Sequence, residues 1–240
     1  MDTNEFVATA ETGTWPAVSE PNLAQFIDHT LLKPDATRDQ LRKLCAEARE
    51  YQFYSVCVNS ANVPYCHQLL ADSDVKVIAV VGFPLGAAST ESKAFEAGHA
   101  VSNGAEEIDM VINVGELKSG NYRAVQTDIS RVVDAVAPTP VKVIIETGLL
   151  SRDEKIAACV LAKSAGAHFV KTSTGFSKGG ATVEDIALMK EVVGADMEVK
   201  ASGGIRDRET ALAMLNAGAT RVGASASIAI VTGREGSGGY

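Results

Sequence analysis

His168-Phe169-Val170-Lys171-Thr172-Ser173-Thr174-Gly175 reads as a short apolar strand running straight into three hydroxyls and a glycine. Side chains alternate along a strand, so Phe169 and Lys171 share one face and Val170 takes the other. If the Val170 face packs on helices, Lys171 is forced inward, where an ammonium is costly. A lysine in that position is either a shielded structural charge or an amine meant to lose its proton.

The same strand-then-helix grammar extends in both directions. Strand-like runs are expected at Phe26–Thr30, Ser55–Asn59, Val75–Val81, Glu107–Val114, Val141–Glu146, His168–Lys171, Glu198–Ala201 and Arg221–Ala224. Between them, helical periodicity covers Arg38–Tyr51 with Thr37 as its cap, then Val63–Leu70, Thr90–Ser102, Tyr122–Val136, Arg152–Ser164, Val183–Val193 and Asp207–Asn216. A short helix near Ser227–Val231 closes the series. Helices that end at Asn103-Gly104, Ala165-Gly166 and Ala217-Gly218 have the glycine that a left-handed C-terminal cap favours.

Apolar strands separated by helices imply a parallel sheet covered on both faces. A doubly wound open sheet needs a glycine-rich turn after its first strand, and Asp28-His29-Thr30-Leu31-Leu32-Lys33-Pro34 has none. Eight units in a chain of 240 residues therefore predict a single-domain α/β fold, the (β/α)8 TIM barrel, over residues 23–232. Residues 1–22 are expected as an arm outside the barrel and residues 233–240 as a flexible tail.

Composition narrows the function. A formal net charge of −8 argues against nucleic acid as partner, because phosphate backbones are bound through clustered Lys and Arg. An anionic substrate would then need a local cationic or backbone cradle. The four cysteines form no CxxC pair, and no secretory leader pattern opens the chain, so reduced thiols and a cytoplasmic protein are expected. No run approaches the roughly 20 apolar residues of a membrane span. HExxH and other metal-ligand spacings are missing, and no metal or cofactor is expected.

In a parallel barrel, catalytic groups sit at the C-terminal ends of the strands. This chain puts unusual polar residues there: Asp28 and Thr30, Cys57 and Asn59, Asp109 and Asn113, Glu146, Lys171, and Lys200. Val170-Lys171-Thr172-Ser173 and Val199-Lys200-Ala201-Ser202 have the same form on neighbouring strands, about 4.8 Å apart. A lysine with an ordinary pKa near 10.4 is neutral only about once in a few thousand molecules at pH 7. Two unit charges about 4 Å apart repel by about 4 kcal/mol at an effective dielectric near 20, worth roughly three pKa units. The pair reads as a Schiff-base nucleophile with its activator, and charge alone leaves open which is which.

Asp109 either neutralises a lysine or relays protons with a lysine or a water. Asp28, Cys57 and Glu146 are expected to surround and orient these groups. His29 is expected as a core or hydrogen-bonding histidine. The segments Ser202-Gly203-Gly204-Ile205-Arg206 and Gly223-Ala224-Ser225-Ala226-Ser227 would follow strands seven and eight, where glycine backbone and helix N-termini favour a phosphate. Tyr240, the last residue on a glycine-rich tether, could reach back over the barrel mouth or be part of a plain disordered tail.

The motifs resemble those of the deoxyribose-phosphate aldolases. The likeness runs through Phe26–Pro34, Val80–Gly86, Glu107–Gly115, Lys142–Thr147, Phe169–Phe176 and Val199–Arg206, and covers about Leu23 to Tyr240. It implies a metal-free class I aldolase that reversibly cleaves 2-deoxy-D-ribose 5-phosphate to glyceraldehyde 3-phosphate and acetaldehyde. By motif it assigns the Schiff base to Lys171, its perturbation to Lys200, and proton transfer to Asp109 and Tyr240. The phosphate and substrate contacts map onto Thr172, Gly203, Gly204, Arg206, Gly223 and Ser225, and a homodimer is a family-level expectation. Phe176 stands where some members carry a phosphate-holding lysine, which passes that task to Lys178 or the backbone. The rival readings are a sugar-phosphate isomerase, another Schiff-base aldolase, or a non-catalytic phosphosugar-binding barrel.

Overall fold

The computed structural model describes residues 22–233. Its elements in chain order are β1 (Ile27–Leu31), α1 (Arg38–Tyr51), β2 (Ser55–Asn59), α2 (Val63–Leu70), β3 (Lys76–Val81), α3 (Thr90–Ser102), β4 (Glu107–Val111), α4 (Val114–Lys118) and α5 (Tyr122–Val136). Then follow β5 (Val141–Ile144), α6 (Arg152–Ser164), β6 (Phe169–Lys171), α7 (Val183–Val193), β7 (Glu198–Ser202), α8 (Arg208–Asn216), β8 (Arg221–Ala224) and α9 (Ser227–Thr232). The eight strands pair in sequence order, all parallel, and β8 returns to β1, so the sheet closes into a TIM barrel. The residues expected as an arm, apart from Asn22, and the tail beyond Gly233 lie outside the described residues.

Local chemistry explains the element ends. Thr37 accepts the Gln40 N–H, and the Gln40 side chain answers the Thr37 N–H, a reciprocal cap that starts α1; Ser151 and Glu154 do the same for α6. Gly104, Gly166 and Gly218 follow their helices with φ of 105°, 80° and 112°, as their positions before the next strand suggested. Leu41, Leu44, Cys45 and Ala48 form the buried stripe of α1, and Val125, Ile129, Val132 and Val136 that of α5. Each fully buried Val or Leu contributes about 1.5–3 kcal/mol relative to exposure. These stripes meet outward strand residues such as Ile108, Met110, Val143, Val170, Val199 and Val222 in one continuous core.

Two expected strands are shorter than their apolar runs. β4 stops at Val111, and Asn113, expected on that strand, instead accepts the Glu116 N–H and starts the five-residue α4. β5 stops at Ile144, and Glu146 lies beyond it in the left-handed region at φ 59°. Ser202, expected just past the seventh strand, is the last residue of β7, while β8 has the expected bounds and holds Gly223.

Candidate active site

The strands turn apolar side chains to the helices and charged ones to the barrel interior. β1 contributes Asp28, β4 Glu107 and Asp109, β5 Lys142, β6 Lys171, β7 Lys200 and β8 Arg221, all buried. Asp109 lies opposite Lys142, and Lys171 opposite Lys200, in the strand register.

Six of these groups form a closed ring of alternating charge. Arg221 Nη1 lies 3.0 Å from Asp28 Oδ1 and 3.1 Å from Glu107 Oε2. Lys142 pairs with Glu107 and, at 2.9 Å, with Asp109 Oδ1. Lys200 Nζ lies 2.7 Å from Asp109 Oδ2 and 2.5 Å from Asp28 Oδ2, which closes the circuit. Three carboxylates and three cations cancel. Lys171 hangs outside this ring on a single bond, 2.8 Å to Asp109 Oδ2.

That difference in partners separates the two lysines. Burial lowers the Lys171 pKa, and the neighbouring Lys200 charge lowers it further, against the one carboxylate of Asp109. For Lys200 burial acts in the same sense, but Asp109 and Asp28 together outweigh it, and its pKa rises above the ordinary lysine value. Burial would raise Asp109; Lys142, Lys171 and Lys200 overcome it and hold the carboxyl well below the usual range. Asp28 is likewise lowered, with Lys200 and Arg221 prevailing over burial.

Above the ring lies the mouth, where the hydroxyl-rich segment after β6 meets its neighbours. Glu146 accepts the Thr174 hydroxyl at 2.5 Å and the Thr174 N–H at 3.3 Å, and so fixes the turn that follows Lys171. The Thr172 hydroxyl donates to the Ser202 carbonyl at 2.8 Å and accepts the Ser202 N–H at 3.0 Å. It is a clasp between β6 and β7, made by one hydroxyl with both backbone groups of Ser202. Gly203 and Gly204 follow β7 at φ 90° and 80°. Arg206 is exposed in the same loop and Ser225 half-buried after β8, so both border the mouth. Asp207 accepts the Thr210 N–H and caps α8, so an acid already fills the helix N-terminus expected to favour phosphate. Among the described residues, no group of three or more His, Cys, Asp or Glu is placed to hold a metal ion.

Comparison with known proteins supplies the family. The model of the DeoC/LacD family aldolases matches residues 22–236. The chain belongs to the DeoC/LacD family of aldolases. It is 65% identical over 211 residues to the deoxyribose-phosphate aldolase of Alkaliphilus oremlandii, covering 88% of this chain and 95% of that one. With the enzyme of the same name from Halalkalibacterium halodurans it shares 60% over 221 residues, 91% of this chain and 99% of the other. Among solved structures it is similar to the tetrameric deoxyribose phosphate aldolase of Aeropyrum pernix: TM-score 0.82, 34% identity, 88% and 89% of the two chains.

Within this aldolase, Asp28, Asp109, Lys171 and Lys200 come together as the alternation suggested. Cys57 faces the same interior, and burial pushes its thiol up to about 11. Gly223 sits in β8 with its Cα against Ser202 and Lys200: a Cβ there would lie 2.4 Å from Ser202 Oγ and 3.1 Å from Lys200 Cε. It gives the Lys200 side chain room. Phe176 packs edge-on against Phe83 at 5.3 Å between ring centres, an apolar wall of the mouth, and Lys178 is exposed beyond it. His29 is hydrogen-bonded to Ser227 and Glu47 outside the charged interior. Tyr240 lies outside the described residues.

Residue reading missed Glu107, Lys142 and Arg221, half of the ring. The signal was present: Glu107 is two positions before Asp109, Lys142 stands between Val141 and Val143, and Arg221 precedes Val222, so each alternates with outward apolar neighbours. Ser173 was passed over as well, and Ser202 was named only as the start of the glycine segment. Their buried hydroxyls have no hydrogen-bond partner among the described residues and flank the glycines after β7.

Proposed function

We propose that the chain reversibly cleaves 2-deoxy-D-ribose 5-phosphate to D-glyceraldehyde 3-phosphate and acetaldehyde, with Lys171 as the Schiff-base lysine. The observation that carries this reading is the unequal standing of the two lysines: one carboxylate partner and a lowered pKa for Lys171, two carboxylates and a raised pKa for Lys200.

In the synthetic direction the neutral Lys171 amine adds to the acetaldehyde carbonyl and loses water to give a protonated imine. That cationic nitrogen is an electron sink, so a methyl proton leaves and an enamine forms. The enamine carbon attacks the aldehyde carbon of glyceraldehyde 3-phosphate, a proton goes to the new alkoxide, and water frees the product from Lys171. The protonated imine does the polarising, so the scheme calls on no metal or cofactor.

Asp109 Oδ2 touches both amines, and its depressed pKa suits a carboxylate that passes a proton without keeping it. It also lies where it stabilises the cationic imine. Lys200, held charged, keeps the resting Lys171 ammonium unfavourable. The phosphate end is assigned to the backbone of Gly203 and Gly204, with Arg206, Ser225 and the Ser173 and Ser202 hydroxyls around it. Tyr240 is kept as a proton-transfer residue on the strength of the family likeness.

In the same reading the protein is a cytoplasmic catabolic enzyme. Its four cysteines are free and buried, and no helix among the described residues is long and apolar enough to cross a membrane. We take the assembly to be a homodimer, to be checked by light scattering. The reaction is tested by supplying 2-deoxy-D-ribose 5-phosphate and following glyceraldehyde 3-phosphate with a coupled dehydrogenase. Production that survives chelation and stops in Lys171→Met supports the assignment; turnover by Lys171→Met at the original rate rejects it.

A further inference from the structure

Glu107 and Arg221 enter neither the chemistry nor the mouth. They stand at the first positions of β4 and β8, at the floor of the barrel, and neither is in contact with Lys171 or Asp109 by any ion pair described. The floor is built around them. The Arg221 guanidinium lies 3.5 Å from the centre of the Tyr54 ring, the Tyr54 hydroxyl donates to Glu107 Oε1 at 3.1 Å, and Lys76 donates to that hydroxyl at 3.0 Å. Glu107 also receives Lys142, and Arg221 also reaches Asp28.

We propose that Glu107 and Arg221 are positioning residues that set the reactivity of Lys171 from the barrel floor, by fixing the charge balance of the ring on which it hangs. The proposal rests on Lys171 being the nucleophilic amine. In the intact ring, Asp28, Glu107 and Asp109 balance Lys142, Lys200 and Arg221, so the Lys171 ammonium is the one charge of these seven that the ring leaves uncompensated. Its loss leaves that cluster of seven neutral. A guanidinium does not give up its proton, and Lys142 and Lys200 each hold two carboxylates. Lys171, with one, is the group that responds when the balance changes. It is faced by Asp109 from β4, Lys200 from β7 and Cys57 from β2, with Asp28 of β1 and Lys142 of β5 one contact further.

The two floor residues must then act in opposite senses. Glu107→Gln removes a negative charge, leaves the ring cationic, and frees the Lys171 amine at lower pH. Arg221→Met removes a positive charge, and the Lys171 ammonium takes over the balancing role, so the amine is freed only at higher pH. The chain of contacts from Glu107 to Lys171 is no more than roughly 10 Å, where a unit charge at an effective dielectric near 20 moves a pKa by about one unit.

The experiment traps the Lys171 adduct with acetaldehyde and borohydride across a pH series. It uses the full-length enzyme, Glu107→Gln, Arg221→Met and the double variant, each checked for fold by circular dichroism. The account expects the acid limb of trapping to move down by about one pH unit in Glu107→Gln and up by about one in Arg221→Met, and to return in the double variant. Limbs that stay put, or that move together, overturn it, since a merely structural loss lowers the yield at every pH. Should a single variant not fold, Glu107→Asp keeps the charge and must leave the limb in place; a displaced limb there overturns the proposal. If the unsubstituted enzyme forms no adduct at Lys171, the nucleophile assignment fails instead.

Discussion

Lys171 and Lys200 reach the same oxygen, Asp109 Oδ2, at 2.8 and 2.7 Å, from adjacent strands in direct register. Two ammoniums so close share one counter-charge, and only Lys200 has a second carboxylate to fall back on. Replacing Lys200 by Met removes the repulsion and leaves Asp109 to Lys171 and Lys142. At an effective dielectric near 20 the lost repulsion is worth about two to three pKa units, so kcat/KM at pH 7 falls by about 100-fold or more. Part of that loss returns as the assay pH approaches 10. A variant as active as the parent at pH 7 would remove the activating role.

A reactive lysine costs stability. The folded pKa of Lys171 is lowered from the ordinary 10.5, so the folded state bears a charging penalty at neutral and acid pH. The penalty shrinks as pH rises from the folded value toward 10.5. Lys171→Met is therefore expected to melt at or above the parent temperature at pH 7, with any advantage fading toward pH 10.5. Lys142→Met leaves Glu107 and Asp109 each short of a buried partner, and should cost about 3–5 kcal/mol in urea unfolding. Equal destabilisation by the two variants would contradict the hanging position of Lys171.

The ring also sets the acid limit. Asp28, Asp109 and Glu107 all have folded pKa values below their ordinary ones, where 3.8 and 4.5 are the starting points. Such groups contribute stability that is fully present above the unfolded pKa and is lost as pH falls through the folded one. The melting temperature should hold between pH 5 and 7 by about the usual measure and drop steeply below about pH 4. Differential scanning calorimetry across that range checks it, and a flat profile down to pH 2 would show that the carboxylates are not held as described.

The mouth depends on close backbone approach. A Cβ on Gly180 would lie 2.5 Å from the Gly203 carbonyl oxygen, and the Ala181 N–H donates to that same oxygen at 3.0 Å. Gly180→Ala must push the loop after β6 away from the glycines after β7. KM for 2-deoxy-D-ribose 5-phosphate should rise about tenfold with a much smaller change in kcat, while unphosphorylated deoxyribose is turned over as before. An equal effect on both sugars would move the phosphate away from this loop.

Much of this was open to reading because strand alternation is strict. Lys171 beside Val170 and Lys200 beside Val199 declare an inward lysine twice, and eight such strands close only one way at this length. The ring was harder. Glu107, Lys142 and Arg221 each look like an ordinary charge at the start of a strand, and their meeting depends on the stagger between strands that sequence order does not state. Two local surprises had similar causes. Val114-Gly115-Glu116-Leu117-Lys118 is too short to show helical periodicity, and a left-handed Glu146 has no marker, since glycine is the usual sign of that backbone.

The most direct test of the account is where acetaldehyde becomes attached. The enzyme is incubated with acetaldehyde, reduced with borohydride, digested, and mapped by mass spectrometry. The account predicts a single N-ethylated lysine at Lys171, with none at Lys200 and none in Lys171→Met. An adduct at Lys200, or an unmodified Lys171 in a sample that still turns over substrate, would contradict it.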